Sequence, residues 1–357
     1  MIATIVLIIM FVLLACGAPI GFVLAITGAI GLYIVAGFDA VYGVLTSVSH
    51  DSATVYEFLA IPMFLLMAEF VLRSGIADDL FRTAAAWCGR VPGGLGMATA
   101  LAGAGFGAIC GSSTASAATL SSTSLPAMLS RGYEPRMAAG VVAISGTLAM
   151  LIPPSIVLIF YGLMTETSIG KLFIAGIIPG LLVALIFSVF VVGMALINPK
   201  QAGEVVDVSG VSWKERFLSL FSVLPVLLIF GVIFGGLYFG VFTPTEGAII
   251  GVVTVLAYAA VTRSLSFAAI KDSLADASLI TVMLFLIIVG GTLFTRFLAQ
   301  TGFTASLSST IAALDLTYVQ FIIIITIMYL ILGCLLDTFG MMILTVPVLF
   351  PIALQLG

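Results

Sequence analysis

The sequence predicts an all-α polytopic membrane protein, and three observations carry that prediction. Of the 357 residues, 62% are hydrophobic and only 8% charged, with a mean hydropathy of +1.33. A soluble domain carries about 25% charged residues. Apolar runs long enough to cross a hydrocarbon core of about 30 Å recur along the chain. The 37 glycines and 13 prolines interrupt several of those runs, which a simple anchored helix pair would not need. Twelve Lys+Arg against sixteen Asp+Glu leave no basic surface for phosphate backbones. Composition therefore excludes a soluble enzyme, a disordered chain and a nucleic-acid binder.

Taken in order, the spans predicted are 2–16 (short), 20–37, 55–72, 137–162, 172–197, 217–241, 244–262 and 278–295. No Lys or Arg precedes 2–16, so that segment lacks the basic start of a signal peptide. Two apolar regions behave differently. Residues 94–130, bounded by Arg90 and Arg131, have a polar, flexible middle at Cys110-Gly111-Ser112-Ser113-Thr114-Ala115-Ser116. Each arm is about 14–17 residues, roughly 21–26 Å of helix, and enters the bilayer without crossing it. This predicts a re-entrant hairpin. Residues 317–352 predict a second, with its tip near Leu336-Asp337-Thr338-Phe339-Gly340.

The cations test this layout. With the N-terminus outside, Arg73, Arg82, Arg90, Arg131, Arg136, Lys200, Lys214, Arg216, Arg263 and Lys271 fall inside, and only Lys171 and Arg296 outside. That bias is what the positive-inside rule expects, and treating either hairpin as a full span would invert everything after it.

An internal repeat runs through the same layout. Pro19-Ile20-Gly21 is echoed by Pro244-Thr245-Glu246-Gly247, and Phe70-Val71-Leu72-Arg73-Ser74-Gly75-Ile76 by Phe297-Leu298-Ala299-Gln300-Thr301-Gly302-Phe303. Repeat one, 1–197, starts outside. Repeat two, 217–357, starts inside, and a polar cytoplasmic linker at 198–216, with Lys200, Glu204, Asp207 and Lys214, joins them. Inverted-topology repeats with broken helices are the architecture of secondary transporters, whose sites lie at the midplane. Repeat two lacks roughly 65 residues of counterpart to 137–197 and reads as C-terminally incomplete.

The chemistry concentrates at two breaks. One is the hairpin tip Gly111–Ser116. The other is Leu151-Ile152-Pro153-Pro154-Ser155, where consecutive prolines remove amide donors from the middle of an apolar span. Backbone left unsatisfied at that depth costs several kcal/mol unless protein, water or an ion meets it. Freed carbonyls with the hydroxyls of Ser112, Ser113, Thr114, Ser116 and Ser155 form an oxygen cage suited to a hard monovalent cation. The half-helix amide ends favour a carboxylate. Ser121–Ser124, by contrast, reads as a small-residue stripe for close helix packing.

Asp337, at the second tip, is either an intramembrane functional carboxylate or a solvated turn residue. Glu57 and Glu69 serve equally well as helix-interface, headgroup or coupling groups. Glu246 caps the helix it begins, and Arg296 snorkels to headgroups. Cys16, Cys88, Cys110 and Cys334 show no ligand spacing and are expected to pack among apolar neighbours. His50, the single histidine, supplies no metal site and lies with Asp51 in an outer polar loop.

Gly111-Ser112-Ser113, Gly132-Tyr133, Leu151-Ile152-Pro153-Pro154-Ser155, Ala175-Gly176-Ile177-Ile178-Pro179-Gly180, Pro244-Thr245-Glu246 and Gly333-Cys334-Leu335-Leu336-Asp337 occur in that order. Together they resemble the large membrane subunit of tripartite ATP-independent periplasmic (TRAP) transporters, over essentially the whole chain. The resemblance implies a sodium-coupled importer of organic anions such as C4-dicarboxylates or sialic acid, in the bacterial inner membrane with a periplasmic N-terminus. It implies an elevator motion of a domain carrying both hairpins, a periplasmic substrate-binding protein, and a small four-helix membrane subunit. Na+ is the coupling ion, with no organic cofactor and no enzymatic activity. Carried over residue by residue, the first sodium site takes Ser112, Ser116 and the carbonyls near Ala149, Ile152 and Pro154. Substrate falls to Ser113, Thr114 and Ser155, and Asp337 and Thr338 belong to the second hairpin's ion or substrate site. Position 149 is alanine where the family more often has glycine, and position 116 is serine where some members have asparagine or threonine.

Four alternatives stand beside this reading. They are a stand-alone ion-coupled carboxylate carrier of a related hairpin fold, a proton-coupled carrier, an intramembrane hydrolase using a tip serine, and a passive channel. Few buried carboxylates disfavour the second, the depth of His50 the third, and the absence of a charged ring the last.

Overall fold

The computed structural model describes residues 2–54, 56–203, 213–306, 309, 317–334 and 336–356. Side-chain environments are described for the same residues apart from 49–54, 355 and 356. Its helices are α1 (Ile2–Ala15), α2 (Ile20–Ala36), α3 (Phe38–Thr54), α4 (Ala60–Arg73), α5 (Ile76–Cys88), α6 (Gly94–Cys110), α7 (Ser113–Ser130) and α8 (Pro135–Leu151). They continue as α9 (Ile156–Thr165), α10 (Ile169–Ile197), α11 (Trp213–Phe221), α12 (Leu224–Tyr238), α13 (Pro244–Thr262), α14 (Phe267–Gln300), α15 (Tyr318–Leu332) and α16 (Thr338–Leu356). Among the described residues the only strand-like pairing is an isolated antiparallel bridge between Tyr133 and Ala202.

The predicted apolar spans are helical, with informative differences in where the helices begin, end and break. α10, α13 and α14 are each long and apolar enough to span a bilayer. On α10, Ile178, Leu181, Leu185 and Val189 are all exposed, as lipid-facing side chains are. The region 217–241 is two helices, α11 and α12, bent by 41°, because Pro225 in the first turn of α12 cannot donate into a continuous helix. The last full span begins far upstream of 278. α14 runs 34 residues because Asp272 and Asp276 of its polar first turns meet Arg73 of α4.

His50 and Asp51 do not lie in a loop. They belong to the last turns of α3, which Asp39 opens favourably at its first turn. α5 was not anticipated as an element; it is amphipathic and bends by 62° away from α4. Cys88 and Cys110 are buried as expected, but Cys16 and Cys334 are exposed. Residues 204–212 of the linker, including Glu204 and Asp207, and Gly357 fall outside the described residues.

The chain divides into two compact units, each drawing helices from both the N-terminal and the C-terminal half of the sequence. Unit 1 comprises Met1–Phe58, Leu163–Glu166 and Leu279–Gly357. Its α2 packs on α14 through glycine notches. A Cβ at Gly28 would lie 2.5 Å from the backbone N of Phe294, and one at Gly31 2.7 Å from the Phe297 ring. We expect Gly28→Ala to lower the thermal midpoint of the detergent-solubilised protein, since overpacking a backbone contact costs about 1–3 kcal/mol. An unchanged midpoint would mean the helices are not in this contact. α15 and α16 pack on each other through Phe321, Val348 and Ile352. A 2.6 Å hydrogen bond joins Tyr329 Oη and Thr345 Oγ1.

Unit 2 comprises Leu59–Gly162 and Thr167–Ser278. Here α13 packs on α4, with Gly251 against Met67. In both pairings a helix that follows Pro19 or begins at Pro244 meets a helix of the other half of the sequence, the one carrying Phe297 or Phe70. α6 and α7 both lie on α8 through small residues. Gly103 meets the Ser145 carbonyl, Gly107 the Ala149 backbone, and Gly146 Ala117. Without side chains between them, these helices approach closely enough to set two helix breaks against each other.

Candidate functional site

The two breaks singled out in the sequence meet in unit 2. α6 ends at Cys110, and Gly111 takes φ +62°, a left-handed turn that suits glycine. Its carbonyl accepts the Ile156 amide at 3.3 Å. A Cβ at 111 would fall 2.5 Å from the Pro154 carbonyl oxygen. The hairpin tip thus rests directly on the Pro-Pro break, which separates α8 from α9 by a 41° bend.

The sequence dictates the local chemistry. Pro153 and Pro154 have no amide hydrogen, so the Ala149 and Met150 carbonyls lose their i+4 donors. The Ser155 hydroxyl donates to the Met150 carbonyl at 2.6 Å and accepts the Leu158 amide at 3.4 Å, clipping the two half-helices together. Ser155 is wholly buried, so its one hydroxyl hydrogen is committed to this clip. The Ala149 carbonyl has no such substitute among the described hydrogen bonds.

On the hairpin side, Ser112 is the N-cap of α7. Its Oγ accepts the Ala115 amide at 3.5 Å and lies 3.2 Å from Thr114 Oγ1. Its carbonyl accepts the Ser116 amide at 3.0 Å. Ser113 is half-buried and Thr114 exposed. Ser116 is fully buried, and its hydroxyl has no hydrogen-bond partner. A buried hydroxyl without a partner costs about 1–3 kcal/mol, which an oxygen-seeking ligand would relieve.

The neighbouring hydroxyls behave otherwise. Thr119, Ser121, Ser122, Thr123 and Ser124 all donate back to carbonyls of their own helix, in keeping with a packing stripe. A cavity of about 310 Å³ runs beside this face of α7, with Leu72, Gly75 and Asp78 opposite Thr119, Ser122 and Thr123. Glu69 is buried and ion-paired at 3.6 Å to Arg73, which also engages Asp272 and Asp276. The helix-interface role open to Glu69 in the sequence takes this form; its partners Arg73, Asp272 and Asp276 do not show there.

Asp337 and Thr338 lie in unit 1, Asp337 just before α16 and Thr338 as its first residue. Asp337 is exposed and caps α16, its Oδ1 accepting the Gly340 amide at 3.1 Å. Glu246 completes the expected cap on α13: its carboxylate accepts the Thr243 amide at 2.7 Å while Thr243 Oγ1 accepts the Glu246 amide at 3.3 Å.

An all-helical, multi-pass membrane protein whose helix breaks face one another is the class this fold and site define. The model of the tripartite ATP-independent periplasmic transporter DctM component matches residues 7–357. The chain belongs to this family and is a TRAP transporter large permease subunit of the inner membrane. It is 36% identical over 308 residues to the C4-dicarboxylate TRAP transporter large permease protein DctM of Pseudomonas aeruginosa, covering 86% of this chain and 71% of that one. It is 32% identical to the ectoine TRAP transporter large permease protein TeaC of Halomonas elongata, covering 79% and 65%. It is 29% identical to the sialic acid TRAP transporter large permease protein SiaM of Vibrio cholerae, covering 85% and 70%.

Proposed function

We propose that this permease imports an organic anion in symport with Na+, receiving it from a periplasmic binding protein and moving it by an elevator displacement of hairpin-bearing elements. One observation carries the reading. The hairpin tip and the Pro-Pro break are in contact at Gly111 and Pro154, and in the first turn of α7 the Ser116 hydroxyl is buried without a partner among the described residues. In this reading a dehydrated Na+ takes a hydroxyl oxygen from Ser116, a second from Ser112, and carbonyls from Ala149, Ile152 and Pro154 at a helix end. The α7 amide end, with Ser113 and Thr114, offers donors to a carboxylate.

The energetics favour coupling. Moving a carboxylate inward against an inside-negative potential costs about 2.3 kcal/mol per charge per 100 mV, and each co-transported Na+ offsets one charge. A four-helix small subunit would brace the scaffold. The reciprocal pairings of α2 with α14 and α13 with α4 support the inverted-repeat reading, and the packed α15–α16 pair supports a second hairpin carrying Asp337 and Thr338.

The test is uptake of labelled carboxylates into proteoliposomes holding the full-length permease and its small subunit, under an inward Na+ gradient. Uptake is expected only when both Na+ and the binding protein are present. Na+-driven uptake that ignores the binding protein would favour the stand-alone carrier, and uptake indifferent to Na+ would overturn the coupling.

A further inference from the structure

Arg216, in the first turn of α11, is 5% exposed, and its Nε and Nη2 have no hydrogen-bond partner. Among the described residues no carboxylate pairs with it; its guanidinium carbon stands 5.3 Å from the centre of the Trp213 ring. A guanidinium buried without an anion is strongly destabilising, and its planar fork matches a phosphate better than any other common partner except a carboxylate.

The surroundings say which anion. α11 packs on α5: Thr83 Oγ1 donates to the Ser219 carbonyl at 2.9 Å, and the Trp87 and Phe217 rings meet edge to face at 5.6 Å. The chain has two tryptophans, Trp87 and Trp213, and both lie at this junction. Tryptophan concentrates at headgroup depth, where one side of the ring is apolar and the other wet. Trp213, which the guanidinium stands over, begins an i, i+4, i+8 row with Phe217 and Phe221; the three are 65%, 56% and 69% exposed, a strip suited to hydrocarbon. A buried anion receptor continuous with an exposed apolar strip fits an amphiphile with a phosphate head.

We propose that Arg216, at the α5–α11 junction, binds the phosphodiester of an anionic membrane phospholipid whose acyl chains lie along Trp213, Phe217 and Phe221. This site is separate from the hairpin tip and does not depend on the transport reading.

The experiment uses the full-length permease in mild detergent, followed by native mass spectrometry and thermal unfolding with phosphatidylglycerol, phosphatidylcholine or inorganic phosphate added. The wild type is expected to retain phosphatidylglycerol but not phosphatidylcholine, and to gain thermal stability from the former alone. Arg216→Met is expected to reduce phosphatidylglycerol retention about tenfold, as loss of a charge-assisted hydrogen-bond pair does, and to lose the lipid-dependent gain. Arg216→Lys, which keeps the charge and guards against misfolding, is expected to retain an intermediate amount.

Four results would overturn the proposal. Arg216→Met could raise stability without lipid yet keep the phosphatidylglycerol effect, leaving Arg216 a mere unpaired charge. Inorganic phosphate could reproduce the whole gain, making the site one for free anions. Glu204→Gln or Asp207→Asn could copy the Arg216→Met loss, making the anion the chain's own. The small subunit could displace the retained lipid, pointing to a partner carboxylate instead.

Discussion

Gly111→Ala is expected to reduce Na+-driven uptake by well over tenfold while the protein still inserts in the membrane. Two costs fall on one atom. A non-glycine residue held at φ +62° loses about 1–2 kcal/mol, and the added Cβ would sit 2.5 Å from the Pro154 carbonyl oxygen. Relief requires the tip to lift from the Pro-Pro break, and the break supplies the carbonyls assigned to Na+. Gly140 of α8 is the control, since nothing lies within 4 Å of a Cβ there. Parallel uptake assays of the two variants check the point. Equal losses would mean the variants suffer from general instability, and an unimpaired Gly111→Ala would show that transport does not need the tip seated on the break.

Ser116→Ala is expected to raise the Na+ concentration for half-maximal uptake about tenfold with little loss of stability, a separation that a structural serine would not produce. The Ser116 hydroxyl has no partner to lose, so its removal relieves a buried unsatisfied group. Ser124 is the comparison. It is equally buried, but its Oγ donates to the Leu120 carbonyl at 2.7 Å. Ser112→Ala should weaken Na+ binding and also cost about 1 kcal/mol of stability, because Ser112 caps α7. Sodium titrations and thermal unfolding of the three variants decide it. An unchanged Na+ dependence in both Ser112→Ala and Ser116→Ala would remove these residues from the site.

Much of the site was legible because its chemistry is local. Two adjacent prolines within an apolar run must free carbonyls wherever the chain folds, so the Leu151–Ser155 break could be placed from the sequence. The Thr243–Glu246 cap was legible for the same reason, being written in four consecutive residues. The role of Ser155 was not. As a hydroxyl beside the break it reads as a ligand, yet its hydrogen goes to the Met150 carbonyl and holds the two half-helices. Nothing local distinguishes Ser116 from Ser113 either; burial of one and partial exposure of the other follow from which face of α7 meets α8.

α5 and α11 escaped notice because short amphipathic helices carry too little apolar length to register as spans, while their packing supplies the stability that length would otherwise give. The polar start of α14 was missed because Asp272 and Asp276 end an apolar window by composition. Only Arg73, about 200 positions earlier in the chain, explains why the helix continues through them.

By itself the sequence determined that this protein lives in a bilayer, where its helices break, and which oxygen-rich residues stand at those breaks. Hydropathy and the missing amides of proline act through near neighbours along the chain. The tertiary structure alone decided that the Gly111 turn sits on Pro154 and that, among the described residues, Ser116 is buried without a partner and Arg216 without a carboxylate. Those facts depend on contacts between helices distant in sequence, glycine notches at the hairpin and aromatic packing at α11, and no residue pattern announces the partner.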